Sequence, residues 1–194
     1  MQKNFLKELL KSSETVFSFK ELLLKFKEDD PETLKAKLHY YVKNGDLHQI
    51  RRGLYSKDMN YNRFELANKI FTPSYISFET VLFSAGVIFQ RSEQIFVASY
   101  QTREVICDKV TYVFRTIHQS ILTNSKGIDT LPTYTIASPE RAFLDIIYLN
   151  NDYHFDNLEP LNWNKVYEIL TAYGDNKSMY KQVKLYNSSV QDNL

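Results

Sequence analysis

A single cysteine, Cys107, stands among the 194 residues, so no internal disulfide is available, and no Cys/His group has the spacing of zinc ligands. No metal and no cofactor are expected. No stretch approaches the ~20 consecutive apolar residues of a membrane span, and the opening MQKNFLKELLKSS interrupts its Leu and Phe with Lys where a signal peptide would run unbroken. The expectation is a soluble, cytoplasmic chain with no membrane partner. A polybasic tail is also missing: 24 Lys and Arg meet 23 Asp and Glu, for a formal net charge of +1. The sequence holds no Gly-rich phosphate loop, no nucleophile placed beside a base, no internal repeat and no low-complexity segment. His39, His48, His118 and His154 lack an i, i+4 or carboxylate-flanked pattern and read as surface or core residues.

What is present fits a folded protein, with 43% apolar and 14% aromatic residues in a chain long enough for one domain or two small ones. The near-neutral total hides an asymmetry. Residues 1–60 carry twelve Lys and Arg against nine Asp and Glu, and the remainder carries twelve against fourteen.

Residues 3–11 form an amphipathic pattern, with Phe5, Leu6, Leu9 and Leu10 on one face. In FSFKELLLKF, Ser18 and Glu21 have the spacing of a capping box, and Phe17 can staple onto Leu22, which predicts a helix to about Phe26. A third helix opens at Asp30-Pro31, repeats Leu34, Leu38, Tyr41 and Val42 at helical spacing, and stops at Asn44-Gly45. DLHQI and LYSK then read as two strands joined through Arg51-Arg52-Gly53. Three helices followed by a two-stranded hairpin is the order of a winged helix-turn-helix, assigned here to residues 1–60.

A polar joint at 57–62 marks the expected boundary, and Asn62 with Glu65 starts a helix reaching about Phe71. PSYIS is extended, Ser77 caps a helix ending before Gly86, and QIFVASY, EVICD, VTYVFRTI and TYTIA are β-rich. SPERAFLDIIYL returns to helix, with Ala142, Phe143, Ile146 and Ile147 as its apolar face. Arg141 and Asp145 read there as an i, i+4 ion pair worth a few tenths of a kcal/mol. Asn162 caps a helix over 163–173, and a last helix occupies 176–188. Residues 61–194 are therefore expected to form a mixed α+β domain, making the whole chain α+β.

In a winged helix the third helix enters the DNA major groove and the hairpin touches the flanking backbone or minor groove. A helical rotation of 100° per residue places Thr33, Ala36, Tyr40 and Lys43 opposite the apolar side, with Lys35 and Lys37 flanking. Thr33, Lys37 and Tyr40 are then base-edge candidates, while Lys35, Lys43, Arg51 and Arg52 neutralise phosphates or probe the minor groove. A solvated helix face accounts for the lysines taken alone. Two adjacent arginines at a turn, where Asn-Gly or Asp-Gly would serve, call for a use.

GDLHQIRRGLYS, then ELANKIFTPSYISFETVLFSAGV, then SPERAFLDIIYL, in that order over residues 5–150, resemble the AbiEi-type antitoxins of bacterial type IV toxin–antitoxin systems. The resemblance implies a winged helix that binds inverted repeats in its own promoter as a repressor, and a second domain that counters a nucleotidyltransferase-like toxin, functionally if not in a stable complex. It makes Tyr75, Ser77, Glu79, Ser138, Pro139, Glu140, Arg141 and Asp145 motif positions without individual roles. The alternative is a stand-alone winged-helix regulator whose second domain dimerises or senses a ligand. A nuclease would need spaced acidic residues and a lysine on adjacent strands. No such triad appears in the sequence, and the protein is not expected to be an enzyme.

Overall fold

Three residues, Val16 to Ser18, turn a helical N-terminal region into a small α+β unit. The computed structural model describes residues 2–27 and 30–191, with side chains from Phe5 onward. Helix α1 spans Gln2–Lys11, strand β1 Val16–Ser18, α2 Phe19–Phe26, α3 Pro31–Lys43, β2 His48–Arg51 and β3 Leu54–Ser56. The strands form an antiparallel sheet in the order β1-β3-β2, with Phe17 and Gln49 on either side of Tyr55. The spacing of Phe17 and Leu22 predicts only a helix staple. A three-residue strand is too short to show alternation, although Phe17 and Leu22 do share one core with Leu9, Leu34 and Leu38. The capping box of α2 is formed in full, and Asp30 accepts the N–H groups of Glu32 and Thr33 at the start of α3.

The hairpin turn is Arg52-Gly53, and Arg51 is the last residue of β2. Gly53 adopts φ +81°, a left-handed conformation that suits glycine. Its carbonyl accepts the Phe19 N–H at 2.8 Å, which ties the hairpin tip to the start of α2. The register slips between Gln49 and Arg51, so β2 bulges beside the turn.

Helix α4, Arg63–Ile70, packs on β1. Asn62 caps it, but Glu65 does not turn back as a capping-box residue. Its buried carboxylate accepts the N–H groups of Thr15 (2.9 Å) and Val16 (3.1 Å) and the Thr15 hydroxyl (2.7 Å). This is why the first compact unit runs to Thr72, with residues 132–134 added, and not to the polar joint at 57–62.

The second unit, residues 73–131 and 135–194, holds a mixed six-stranded sheet. Its strands are β4 Ser74–Ile76, β5 Ile95–Ser99, β6 Arg103–Cys107, β7 Val110–Thr116, β8 Ile128–Thr130 and β9 Thr135–Ala137, in the order β6-β7-β5-β4-β9-β8. The pairs β5/β7 and β4/β9 are parallel. Helices are α5 Phe78–Ser84, the short α6 Gln119–Leu122, α7 Pro139–Leu149, α8 Trp163–Leu170 with a 3-10 turn at Thr171–Tyr173, and α9 Lys177–Gln191. Strand β8 and helix α6, three and four residues long, are each shorter than two periods of their pattern and leave no periodic signal in the sequence. α7 is the hub, packing on α5, α8 and α9. Every residue from Glu140 to Ile147 is buried, so α7 is a core helix and not the amphipathic one its spacing predicts. Gly127 makes this packing possible. A Cβ there would lie 2.6 Å from Ile169 Cδ1 and 2.9 Å from Arg141 Cβ.

The chain is thus α+β throughout, and among the described residues no helix is long and apolar enough to cross a membrane.

Candidate nucleic-acid interface and a buried ionic cluster

On α3 the burial follows the helical wheel. Leu34, Leu38 and Tyr41 are buried, while Thr33, Lys35, Ala36, His39, Tyr40 and Lys43 are exposed and Lys37 is half-buried. Not all of these side chains are equally available. The Thr33 hydroxyl donates to the capping Asp30 at 2.6 Å, and the Lys35 ammonium pairs with Glu32 one turn back. Tyr40, 54% exposed, stands edge-on to Tyr41 and lines a groove with Leu6 and Leu10 of α1. Lys43, Arg51 and Arg52 are exposed and have no ion-pair partner among the described residues. The first unit therefore presents three free cations at the end of α3 and the hairpin tip, a pattern suited to phosphates.

The motif positions of the second unit separate into groups. Tyr75, Ser77, Arg141 and Asp145 converge, and Tyr173 joins them. Asp145 accepts hydrogen bonds from Ser77 Oγ (2.7 Å), Tyr173 Oη (2.6 Å), Tyr75 Oη (3.1 Å) and Arg141 Nε (3.3 Å). Arg141 also donates to Tyr75 Oη and to the carbonyls of Ile121 (2.8 Å) and Lys126 (3.0 Å). Arg141 and Asp145 are both 0% exposed. The i, i+4 pair expected to be worth a few tenths of a kcal/mol is thus the centre of a buried network. Part of the signal was available: at 100° per residue Ala142, Phe143, Leu144, Ile146 and Ile147 cover about 200° of the wheel, and Tyr148 and Leu149 flank the pair on the remaining side. Tyr173 had no sequence signal.

Burial pushes the Asp145 carboxyl above its ordinary value, against the downward pull of Arg141 and the three hydroxyls. The Tyr75 and Tyr173 phenols are raised well above theirs by burial and then by the nearby Asp145 charge. With every member hydrogen-bonded and buried, this cluster joins β4, α7 and the Thr171–Tyr173 turn. The network replaces the foreseen cap at Ser77, whose hydroxyl makes no cap bond to α5. The next residue, Phe78, is fully buried at φ +55°, a strained conformation held in place by the packing around it.

The remaining positions have separate duties. Ser138 caps α7 by accepting the Arg141 N–H, Pro139 is its first residue, and Glu140 accepts the Asn162 N–H. Glu79 forms a bidentate pair with Arg115 (2.8–3.0 Å), whose guanidinium lies 4.5 Å from the Phe96 ring centre. Glu79 lines a cleft of about 550 Å³ with Phe96, Tyr153, His154 and Asp156. Among the described residues no group of three or more His, Cys, Asp or Glu could hold a metal ion.

Compared with models of known protein families and with curated protein sequences, the chain matches none of them.

Proposed function

We propose that this protein is a DNA-binding antitoxin that represses its own promoter and counters a nucleotidyltransferase-like toxin, acting in the cytoplasm and not as an enzyme. The reading takes the first unit as a winged helix-turn-helix, α3 as the major-groove helix and the β2–β3 hairpin as the wing. The observation that carries it is the placement of Lys43, Arg51 and Arg52, exposed and unpaired at the end of α3 and the hairpin tip. Tyr40 and Lys37 are the base-edge candidates. Thr33 would have to release Asp30 to join them.

Phosphate contacts make affinity fall steeply with salt, by a slope of about −0.9 in log–log form per phosphate neutralised. The test is fluorescence anisotropy with the DNA upstream of the gene, across a salt series. Arg51→Ala/Arg52→Ala is expected to weaken binding and flatten the slope by about 2. The charge-matched control is Arg103→Ala/Lys109→Ala, two exposed cations of the second unit. Lys69 would be a poor control, because its ammonium is held by Glu14 and Glu21, both at 2.9 Å. Equal affinity and slope for the hairpin variant and the parent would refute the DNA reading. Growth rescue on co-expression with the adjacent gene product tests the antitoxin half.

A further inference from the structure

Between α8, the Thr171–Tyr173 turn and α9 lies a groove of about 640 Å³. Its floor is apolar, supplied by Leu170 and the ring of Tyr167, and one wall is the exposed side of α9. Met179 and Val183 bury the opposite side of that helix against the unit. Lys177, Lys181 and Lys184 line the groove at i, i+4 and i+7, a run of about 10 Å along the helix axis. All three are exposed and none has an ion-pair partner among the described residues. One carboxylate, Asp175, also lines the groove, so three positive charges face one negative charge there. A further ammonium sits at its rim, where Lys126 Nζ donates to Thr171 Oγ1 at 2.8 Å.

Two tyrosines set the character of the site. Tyr167 is fixed by a hydrogen bond from Asn187 Nδ2 to its hydroxyl (3.2 Å), and the Tyr180 ring stands 6.1 Å from it at 54°. No planar group fits between rings that close and that tilted. Tyr180 is instead 55% exposed beside the lysines, and its free face is a stacking platform. An exposed aromatic ring within a row of lysines suits a ligand that carries a flat ring and negative charge a few ångströms apart.

From this geometry we infer that the second unit binds nucleotide units, stacking the base on Tyr180 and placing the phosphates on Lys177, Lys181 and Lys184. A nucleoside polyphosphate and a single-stranded nucleic acid share this chemistry. The inference is independent of the proposed DNA reading, since it uses no residue of the first unit.

The test uses the 194-residue chain carrying Arg51→Ala/Arg52→Ala, which removes the hairpin cations from any strand binding. ATP is titrated by calorimetry and fluorescein-labelled dT10 by anisotropy, with inorganic triphosphate and polyglutamate as comparisons. Saturable binding of ATP or dT10 is expected. Lys177→Ala/Lys181→Ala/Lys184→Ala should weaken it by tenfold or more and reduce its salt dependence. Tyr180→Ala should weaken it about tenfold, the loss of one base–aromatic stack, while Tyr180→Phe keeps the ring and stays within about twofold. Comparable affinity for ATP and dT10 identifies the free nucleotide as ligand, and a marked preference for dT10 identifies the strand. The inference is overturned if neither probe saturates, or if Tyr180→Ala binds as the parent does. Tighter binding of triphosphate than of ATP, or of polyglutamate than of either nucleotide probe, overturns it as well.

Discussion

Arg141 illustrates how far one residue's meaning depends on burial. Its spacing from Asp145 is legible in the sequence; the surroundings of the pair are not, because Tyr75, Ser77 and Tyr173 reach Asp145 from 28 to 70 residues away. An exposed pair at this spacing contributes a few tenths of a kcal/mol. Removing one partner of a buried pair leaves an uncompensated charge and costs about 3–5 kcal/mol. Asp145→Ala is therefore expected to destabilise the second unit by that order in urea unfolding, and Tyr173→Phe by about 1 kcal/mol. Arg141→Met/Asp145→Leu should cost less than Asp145→Ala alone, because no charge is left behind. If Asp145→Ala cost only a few tenths, the network would not be the anchor described above.

At the scale of elements, the helices that open with explicit caps were legible, since a cap is a local bond. Ser18, Asp30, Asn62, Ser138 and Asn162 all accept N–H groups at the helix starts where the sequence places them. Elements defined by distant partners were not legible: β1 exists through β3, and β8 through β9. Gly127 belongs to the same class, for its need arises from Ile169 and Arg141. Gly127→Ala should destabilise by 2 kcal/mol or more, on the order of other overpacked cores, whereas Gly53→Ala, with open space at its Cβ, should cost about 1 kcal/mol. The two thermal midpoints compared side by side check this.

The junction of α2 and α4 adds a pH dependence. Burial raises the Glu21 carboxyl, but the Ser18 N–H and the Lys69 ammonium outweigh it and hold the group below its ordinary 4.5. Burial lowers Lys69, and Glu14 and Glu21 outweigh that, holding it above 10.5. Glu21 thus stabilises the fold fully above pH 4.5 and loses that contribution as pH falls through its folded value. The Lys69 contribution is complete below pH 10.5 and is lost as pH rises through its own. Lys69→Met should lower stability at pH 7 and make the decline below pH 4.5 shallower, read from urea midpoints across pH.

For the whole molecule, a net charge of +1 says less than its division. Residues 1–60 hold twelve cations against nine anions, and three of those cations, Lys43, Arg51 and Arg52, stand exposed and without an ion-pair partner among the described residues at the end of α3 and the adjoining turn. The extent of the first unit was harder to read, because the polar joint at 57–62 resembles a linker while Glu65 and Lys69 beyond it hold Thr15, Glu14 and Glu21. A fragment ending at Thr72 should accordingly unfold at higher urea than one ending at Tyr61. Equal midpoints would place the boundary at the joint.

The strand order of the second unit also has a consequence for how the chain is made. β4 is the first strand of that unit to leave the ribosome, yet its parallel partner β9 begins at Thr135, the Tyr75 and Ser77 hydroxyls meet Asp145 later, and Tyr173 joins Asp145 later still. At roughly 5–20 residues per second, about 100 residues separate the first of these groups from the last by some 5–20 s. Once Thr116 has emerged the nascent unit can form β5, β6 and β7, but it cannot close its centre until Tyr173 follows, and this is when it is open to chaperones, proteases and misfolding.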